Sequence, residues 1–134
     1  MTDTRRTPIN PPGVPAPVRS YYSNAIRVEA GPMIYIAGQI PTDADGAIVG
    51  KGDIVAQAAQ VFRNIETILA SSGGSLADLV KVSVYVTDMS QFGRLAELRQ
   101  HLFPKDGPAS VCVEVSALVD PDILIEIDGI AIAR

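Results

Sequence analysis

The run 123–132, Ile-Leu-Ile-Glu-Ile-Asp-Gly-Ile-Ala-Ile, is apolar nearly throughout yet carries two carboxylates two residues apart. Alternate residues of a β-strand point to opposite faces. Leu124, Glu126, Asp128, Ile130 and Ile132 therefore share one face, and Ile123, Ile125, Ile127 and Gly129 the other. Two carboxylates on an otherwise apolar strand are unusual. If both faces are covered, an ionised pair there must be hydrogen-bonded or shifted in pKa. Glu126 and Asp128 read either as acid/base or water-holding groups, or as solvated residues at an exposed strand end.

The phrase Pro108-Ala109-Ser110-Val111-Cys112-Val113-Glu114-Val115 predicts a neighbouring strand over 111–115, with Cys112 and Glu114 on one face. A lone buried cysteine is most simply a small hydrophobe. His101, the single histidine, lies on a predicted helix, which disfavours a Cys–His nucleophile pair. With one Cys and one His, no metal site with thiolate or imidazole ligands is expected.

The remaining elements follow from period and punctuation. Pro8, Pro11, Pro12, Pro15 and Pro17 make residues 1–18 a proline-rich arm, extended on the surface or disordered at its tip. Strands are predicted over 27–29 and 33–37, then a turn at Asp43-Ala44-Asp45-Gly46 and a short strand over 47–49. Ile54, Ala58, Val61, Phe62, Ile65, Ile68 and Leu69 mark one helical face, with Asp53 as its N-cap and Gly73-Gly74 as its stop. The valines at 80, 82, 84 and 86 alternate with Lys81, Ser83 and Tyr85, a half-buried strand. A second helix over 90–102 presents Phe92, Leu95, Leu98 and Leu102. The order implies one α+β domain, a mixed sheet with two helices on one face.

Eleven basic against fifteen acidic residues give a net charge of −4 over 134 residues, with no basic run. Nucleic-acid binding requires phosphate neutralisation and is disfavoured. No apolar stretch is long enough for a membrane span, and prolines rather than an apolar run follow the first residues, so neither a membrane partner nor a signal peptide is expected. A single cysteine fits a reducing cytoplasm. A mean hydropathy of +0.22 favours self-association. No GxGxxG, Walker A or HExxH pattern is present.

Several phrases together resemble one family. They are Tyr22-Ser23-Asn24-Ala25, Ile36-Ala37-Gly38-Gln39-Ile40-Pro41, Gly52-Asp53-Ile54-Val55-Ala56-Gln57, Asn64-Ile65, Val86-Thr87-Asp88-Met89, Pro108-Ala109, Cys112-Val113-Glu114-Val115 and Ile125-Glu126-Ile127. The chain is identified by them as a member of the Rid superfamily, the reactive intermediate (enamine/imine) deaminases, also called the YjgF family. The resemblance covers residues from about 15 to 134, which makes 1–18 the arm and 19–134 the Rid-type domain. It implies a chorismate-mutase-like fold, a homotrimer with sites between subunits, and neither metal nor organic cofactor. It implies hydrolysis of an imine or enamine derived from an amino acid to a keto acid and ammonia. Glu126 takes the catalytic, water-holding position, and Tyr22, Gly38, Phe92, Ser110 and Cys112 form the substrate-binding set.

One departure stands out. Where the family phrase reads Pro-Ala-Arg-Ser-Cys, this chain has Ser110 in place of the arginine that grips a substrate carboxylate bidentately. Ala96 replaces an asparagine often found on the second helix. Losing the clamp in a desolvated site costs about 2–5 kcal/mol. Three expectations follow: a deaminase or hydrolase for an imine or enamine lacking a carboxylate at that point, a non-catalytic small-ligand trimer, and, weakest for an acidic chain, an endoribonuclease or translation inhibitor. Arg94 and Arg99 on the second helix are the alternative sources of positive charge.

Overall fold

The computed structural model describes residues 5–134; the first four residues of the proline-rich arm lie outside the described residues. Strands β1 (Arg6–Ile9) and β2 (Ala25–Val28) form an antiparallel two-stranded ribbon. Strands β3 (Met33–Gln39), β4 (Leu79–Val86), β5 (Ala109–Glu114) and β6 (Ile125–Ile132) form a sheet in the order β3-β6-β4-β5. β6 runs antiparallel to both neighbours, whereas β4 and β5 are parallel. A parallel pair needs a crossover, supplied here by a 3-10 segment (Met89–Leu95) leading into helix α2 (Ala96–Leu102). Helix α1 (Ile54–Ala70) packs on the same face. This is the α+β architecture expected, a mixed sheet with two helices on one side.

The helix-facing side holds the core. Ile54, Ala58, Val61, Phe62, Ile65 and Leu69 of α1 meet Val82, Val84, Val86, Ile125 and Ile127 of the sheet, all buried. Each large side chain so buried contributes about 1.5–3 kcal/mol. The ring of Phe62 meets Phe103 edge-on, with centroids 5.6 Å apart. Asp53 caps α1, its Oδ1 accepting from the amides of Val55 at 3.0 Å and Ala56 at 3.2 Å. At the other end the Gly74 amide donates to Leu69 O at 2.9 Å. No helix among the described residues is long and apolar enough to cross a membrane.

Three local expectations differ from the structure, each for a physical reason. Part of the proline arm pairs as β1, because both strands of a two-stranded ribbon are edges and tolerate Pro8. Arg6 fastens it, donating to Leu79 O at 2.9 Å and Asp106 O at 2.7 Å. The strand expected over 47–49 is reduced to a bridge between Thr42 and Ile48. There the Asp43 carboxylate binds the amides of Asp45 and Ala47, and the segment turns instead of pairing. The second helix begins as a 3-10 segment containing Gly93, a poor helix former. Its first amides bond outward, Met89 to Glu114 Oε1 at 2.9 Å and Ser90 to Asp88 Oδ1 at 3.0 Å.

Neither helix covers the opposite face of the sheet. Tyr35 there is 77% exposed, Val111 42% and Val113 41%. Lys81, Ser83, Tyr85, Glu126, Asp128 and Ile130 share that face by register.

Candidate functional site

The sheet divides the expected site residues into two groups. Ser110 and Cys112 pair with Val82 and Val84 of β4 and therefore point to the helix side. Glu126 pairs with Tyr85, which pairs with Val113, so its side chain stands on the uncovered face. One intervening strand separates β6 from β5, about 10 Å at normal strand spacing. Within one chain the carboxylate and the cysteine are thus on opposite sides of the sheet.

The first group lines a cleft of about 420 Å³ beside the edge strand β5. Its walls are Val18, Arg19, Tyr21, Tyr22, Phe92, Arg99, Ser110 and Cys112. Tyr22, Phe92, Ser110 and Cys112 of the expected substrate-binding set are therefore brought together. The loop bearing both tyrosines is tied down at the approach to β5. Ser23 Oγ donates to Gly107 O at 2.7 Å, and the Gly107 amide donates to Ser20 O at 2.9 Å. A Cβ at Gly107 would collide with the Tyr21 backbone, so glycine permits this close seam. The Tyr22 hydroxyl accepts from the Val18 amide at 3.2 Å and fixes its ring at the cleft rim.

Arg99 forms the floor of the cleft and is only 5% exposed. Its Nη2 donates to Ser110 Oγ at 3.0 Å. Its guanidinium carbon lies 4.4 Å from the Tyr21 ring centroid and 5.3 Å from that of Phe92. Burial lowers its pKa, while Tyr21 and Cys112 act in the opposite sense. By sequence alone Arg99 is one of two helix arginines, more simply solvated. The signal that separates it from Arg94 is position: Leu95, Arg99 and Leu102 lie on one helical stripe, and that stripe faces inward. Arg94 stays exposed and donates to Gln91 Oε1.

Cys112 is half-buried in the same cleft. Burial pushes its thiol pKa up, and the nearby Arg99 charge only partly opposes this. At neutral pH the group is held as the thiol, the weakly nucleophilic form. Alkylation by iodoacetamide at pH 8 should therefore lag that of glutathione, accelerating as pH rises through the raised thiol value. A Cys112 rate equal to or above that of glutathione at pH 8 contradicts this assignment.

Gly38 and Glu126 form the second group. A Cβ on Gly38 would collide with the Glu126 carboxylate, so the absent side chain is what seats that carboxylate at the end of β3. Glu126 makes no hydrogen bond or ion pair among the described residues, which leaves both oxygens free to accept. Asp128, two residues on, is engaged by the Tyr85 hydroxyl at 3.0 Å. That bond, and then the Asp128 charge, raises the Tyr85 pKa. Glu114 serves the Met89 amide and is structural. Gln57 is buried and bridges loops, donating to Asp122 O at 2.8 Å and accepting from Leu124 N at 2.8 Å. Asn64 likewise donates to Ile40 O and Thr42 O. Among the described residues no three His, Cys, Asp or Glu side chains gather as a metal site would require.

Comparison with known proteins places the chain in a family. The sequence model of the Endoribonuclease L-PSP family matches residues 14–133. A RutC family protein of Pyrococcus horikoshii is 47% identical over 110 residues, covering 82% of this chain and 85% of its own. The 3-aminoacrylate deaminase RutC of Acinetobacter baylyi is 34% identical over 123 residues, 92% of this chain and 94% of its own. Among solved structures, the Rid-family protein YyfB of Yersinia pestis, described as of unknown function, superposes with a TM-score of 0.89 at 30% identity, over 96% of this chain and 99% of that one. With most of the chain matched by family, relatives and fold alike, the protein belongs to the Endoribonuclease L-PSP family, the YjgF/Rid superfamily.

Proposed function

We propose that the chain is a hydrolytic deaminase for a small imine or enamine, working in clefts between three copies of itself. The observation that carries this reading is the Glu126 carboxylate, held against Gly38, unpaired, and on the sheet face that no helix covers. The cleft lined by Ser110 and Cys112 lies on the other side of the same sheet. A metabolite a few ångströms long cannot touch both groups of one chain. Both can meet one substrate when the uncovered face of one copy packs beside the β5 edge of the next, as in the trimer the resemblance implies. Burial of Tyr35, Val111 and Val113 would favour that packing.

The chemistry then follows from the side chains. Glu126 accepts a proton from water as the water oxygen bonds to the imine carbon, and the C=N electron pair moves to nitrogen. The same carboxyl delivers that proton to nitrogen, giving the aminoalcohol, and then carries the hydroxyl proton to nitrogen as well, so that the C–N bond breaks, ammonia leaves and the C=O bond forms. An enamine enters this route after protonation at carbon to its imine tautomer. The ribonuclease activity in the family's name is not carried over, since a chain of net charge −4 has no basic run to neutralise phosphates.

The test is direct. Generate 2-iminobutanoate in situ from an amino acid and its oxidase, add the purified protein, and follow loss of imine. The expected result is loss well above the spontaneous rate. Imine loss at the spontaneous rate, for this substrate and for 3-aminoacrylate, would favour the second reading, a non-catalytic ligand-binding assembly. The specific feature behind that reading is Ser110, where the family has its arginine.

A further inference from the structure

We propose that Arg99 is the substrate-anion receptor of this cleft, a guanidinium moved from strand β5 to helix α2, with Ser110 as the hydroxyl that aims it at a carboxylate. The proposal rests on reading the cleft as the substrate site and names the class of substrate it takes. Three observations carry it. The guanidinium reaches position 110 itself: Arg99 Nη2 lies 3.0 Å from Ser110 Oγ, so the positive charge stands beside the residue whose family counterpart supplies it. The charge is almost fully buried, yet no carboxylate of the described residues pairs with it. Its bond to Ser110 is its only hydrogen bond among the described residues, out of five N–H donors in the fork. Arg99 lines the open cleft, where a bound acceptor could meet its remaining donors.

A buried, uncompensated guanidinium costs several kcal/mol unless something answers it. Tyr21 and Phe92 offset part of that cost by offering ring faces to the cation. The planar fork of a guanidinium suits a planar carboxylate more than a spherical ion. A serine at 110 is then the complement of an arginine at 99, small enough to admit the guanidinium and polar enough to orient it. The substrate accordingly keeps its carboxylate, contrary to the expectation drawn from Ser110 alone.

Pyruvate, with pyruvamide as its neutral isostere, reports on the receptor without any chemical step. Calorimetry on the intact protein should show pyruvate bound and pyruvamide far weaker. Arg99→Gln should weaken pyruvate by about 100-fold, the loss of one charge-assisted clamp. Arg99→Lys, which keeps the charge and loses the fork, should fall between. Ser110→Arg should not improve binding, since it crowds a second cation against the first, whereas the double exchange Arg99→Ser with Ser110→Arg should recover pyruvate binding to within about tenfold. Should Arg99→Gln fail to fold, the Arg99 Nε–H NMR resonance of the unaltered protein answers the same question, shifting with pyruvate and not with pyruvamide. Pyruvate affinity unchanged in Arg99→Gln, or no shift of that resonance at tens of millimolar pyruvate, overturns the proposal. Imine hydrolysis that persists with pyruvate binding indifferent to Arg99 refutes the receptor alone. Arg99-dependent pyruvate binding without imine hydrolysis refutes the deaminase reading alone.

Discussion

Replacing Glu126 with Gln is expected to slow imine hydrolysis by about 10²–10⁴-fold, the usual worth of a positioned general base. The change is close to isosteric. Glu126 holds no hydrogen bond or ion pair among the described residues, so little structure is lost with its charge. The effect should fall on kcat with KM nearly unchanged, because the amide still occupies the space over Gly38 but cannot take a proton from water. Thermal unfolding should move by no more than about 0.5 kcal/mol, typical of a substitution at a half-exposed site. If kcat stays within a few-fold of the parent protein on a substrate it demonstrably hydrolyses, Glu126 is not the water-activating group.

The second large effect concerns assembly. Val113→Asp should dissociate the protein and remove activity with it. Val113 lies on the uncovered sheet face, in register with Tyr85, which in turn pairs with Glu126. Packing this face against another copy would bury the new carboxylate on the face that carries Glu126 and Asp128, about 10 Å from Glu126. Both desolvation and like-charge repulsion oppose that, at several kcal/mol per ion. Sedimentation should change from a particle three times the 14.2 kDa chain to one of chain size. Activity should fall by about as much as in Glu126→Gln, since each cleft loses its neighbour's carboxylate. The folded monomer should survive, because the core lies on the other face of the sheet. A Val113→Asp protein that is still trimeric and fully active would place the interface elsewhere.

Much of this was legible in the sequence because its signals are periodic. The alternation of Val80, Val82, Val84 and Val86 described β4, and the apolar series from Ile54 to Leu69, capped by Asp53, described α1. The two faces of the final strand also separated correctly, Ile125 and Ile127 into the core and Glu126 and Asp128 away from it. Period alone does not say which face the helices cover. That fact, which puts Glu126 and Cys112 on opposite sides, needed the three-dimensional arrangement. β1 was hidden because its pairing partner makes an edge-only ribbon, where prolines carry little penalty. The 3-10 start of the second helix was hidden because Glu114, distant in sequence, takes one of its amides. A sequence shows Arg99 only as an arginine on a helix, whereas its role lies in burial, two aromatic rings and a serine eleven residues on.

A site built from two copies can be restored by complementation between two disabled variants. Glu126→Gln removes the carboxylate; Ser110→Phe fills the cleft that Ser110 and Cys112 line. Each variant alone should be nearly inactive. Co-expressed in equal amounts, they should assemble mixed trimers in which about a quarter of the sites pair an open cleft with an intact Glu126. The predicted result is therefore recovery of about a quarter of the parent activity. A mixed assembly no more active than either variant by itself would mean that cleft and carboxylate do not meet across subunits.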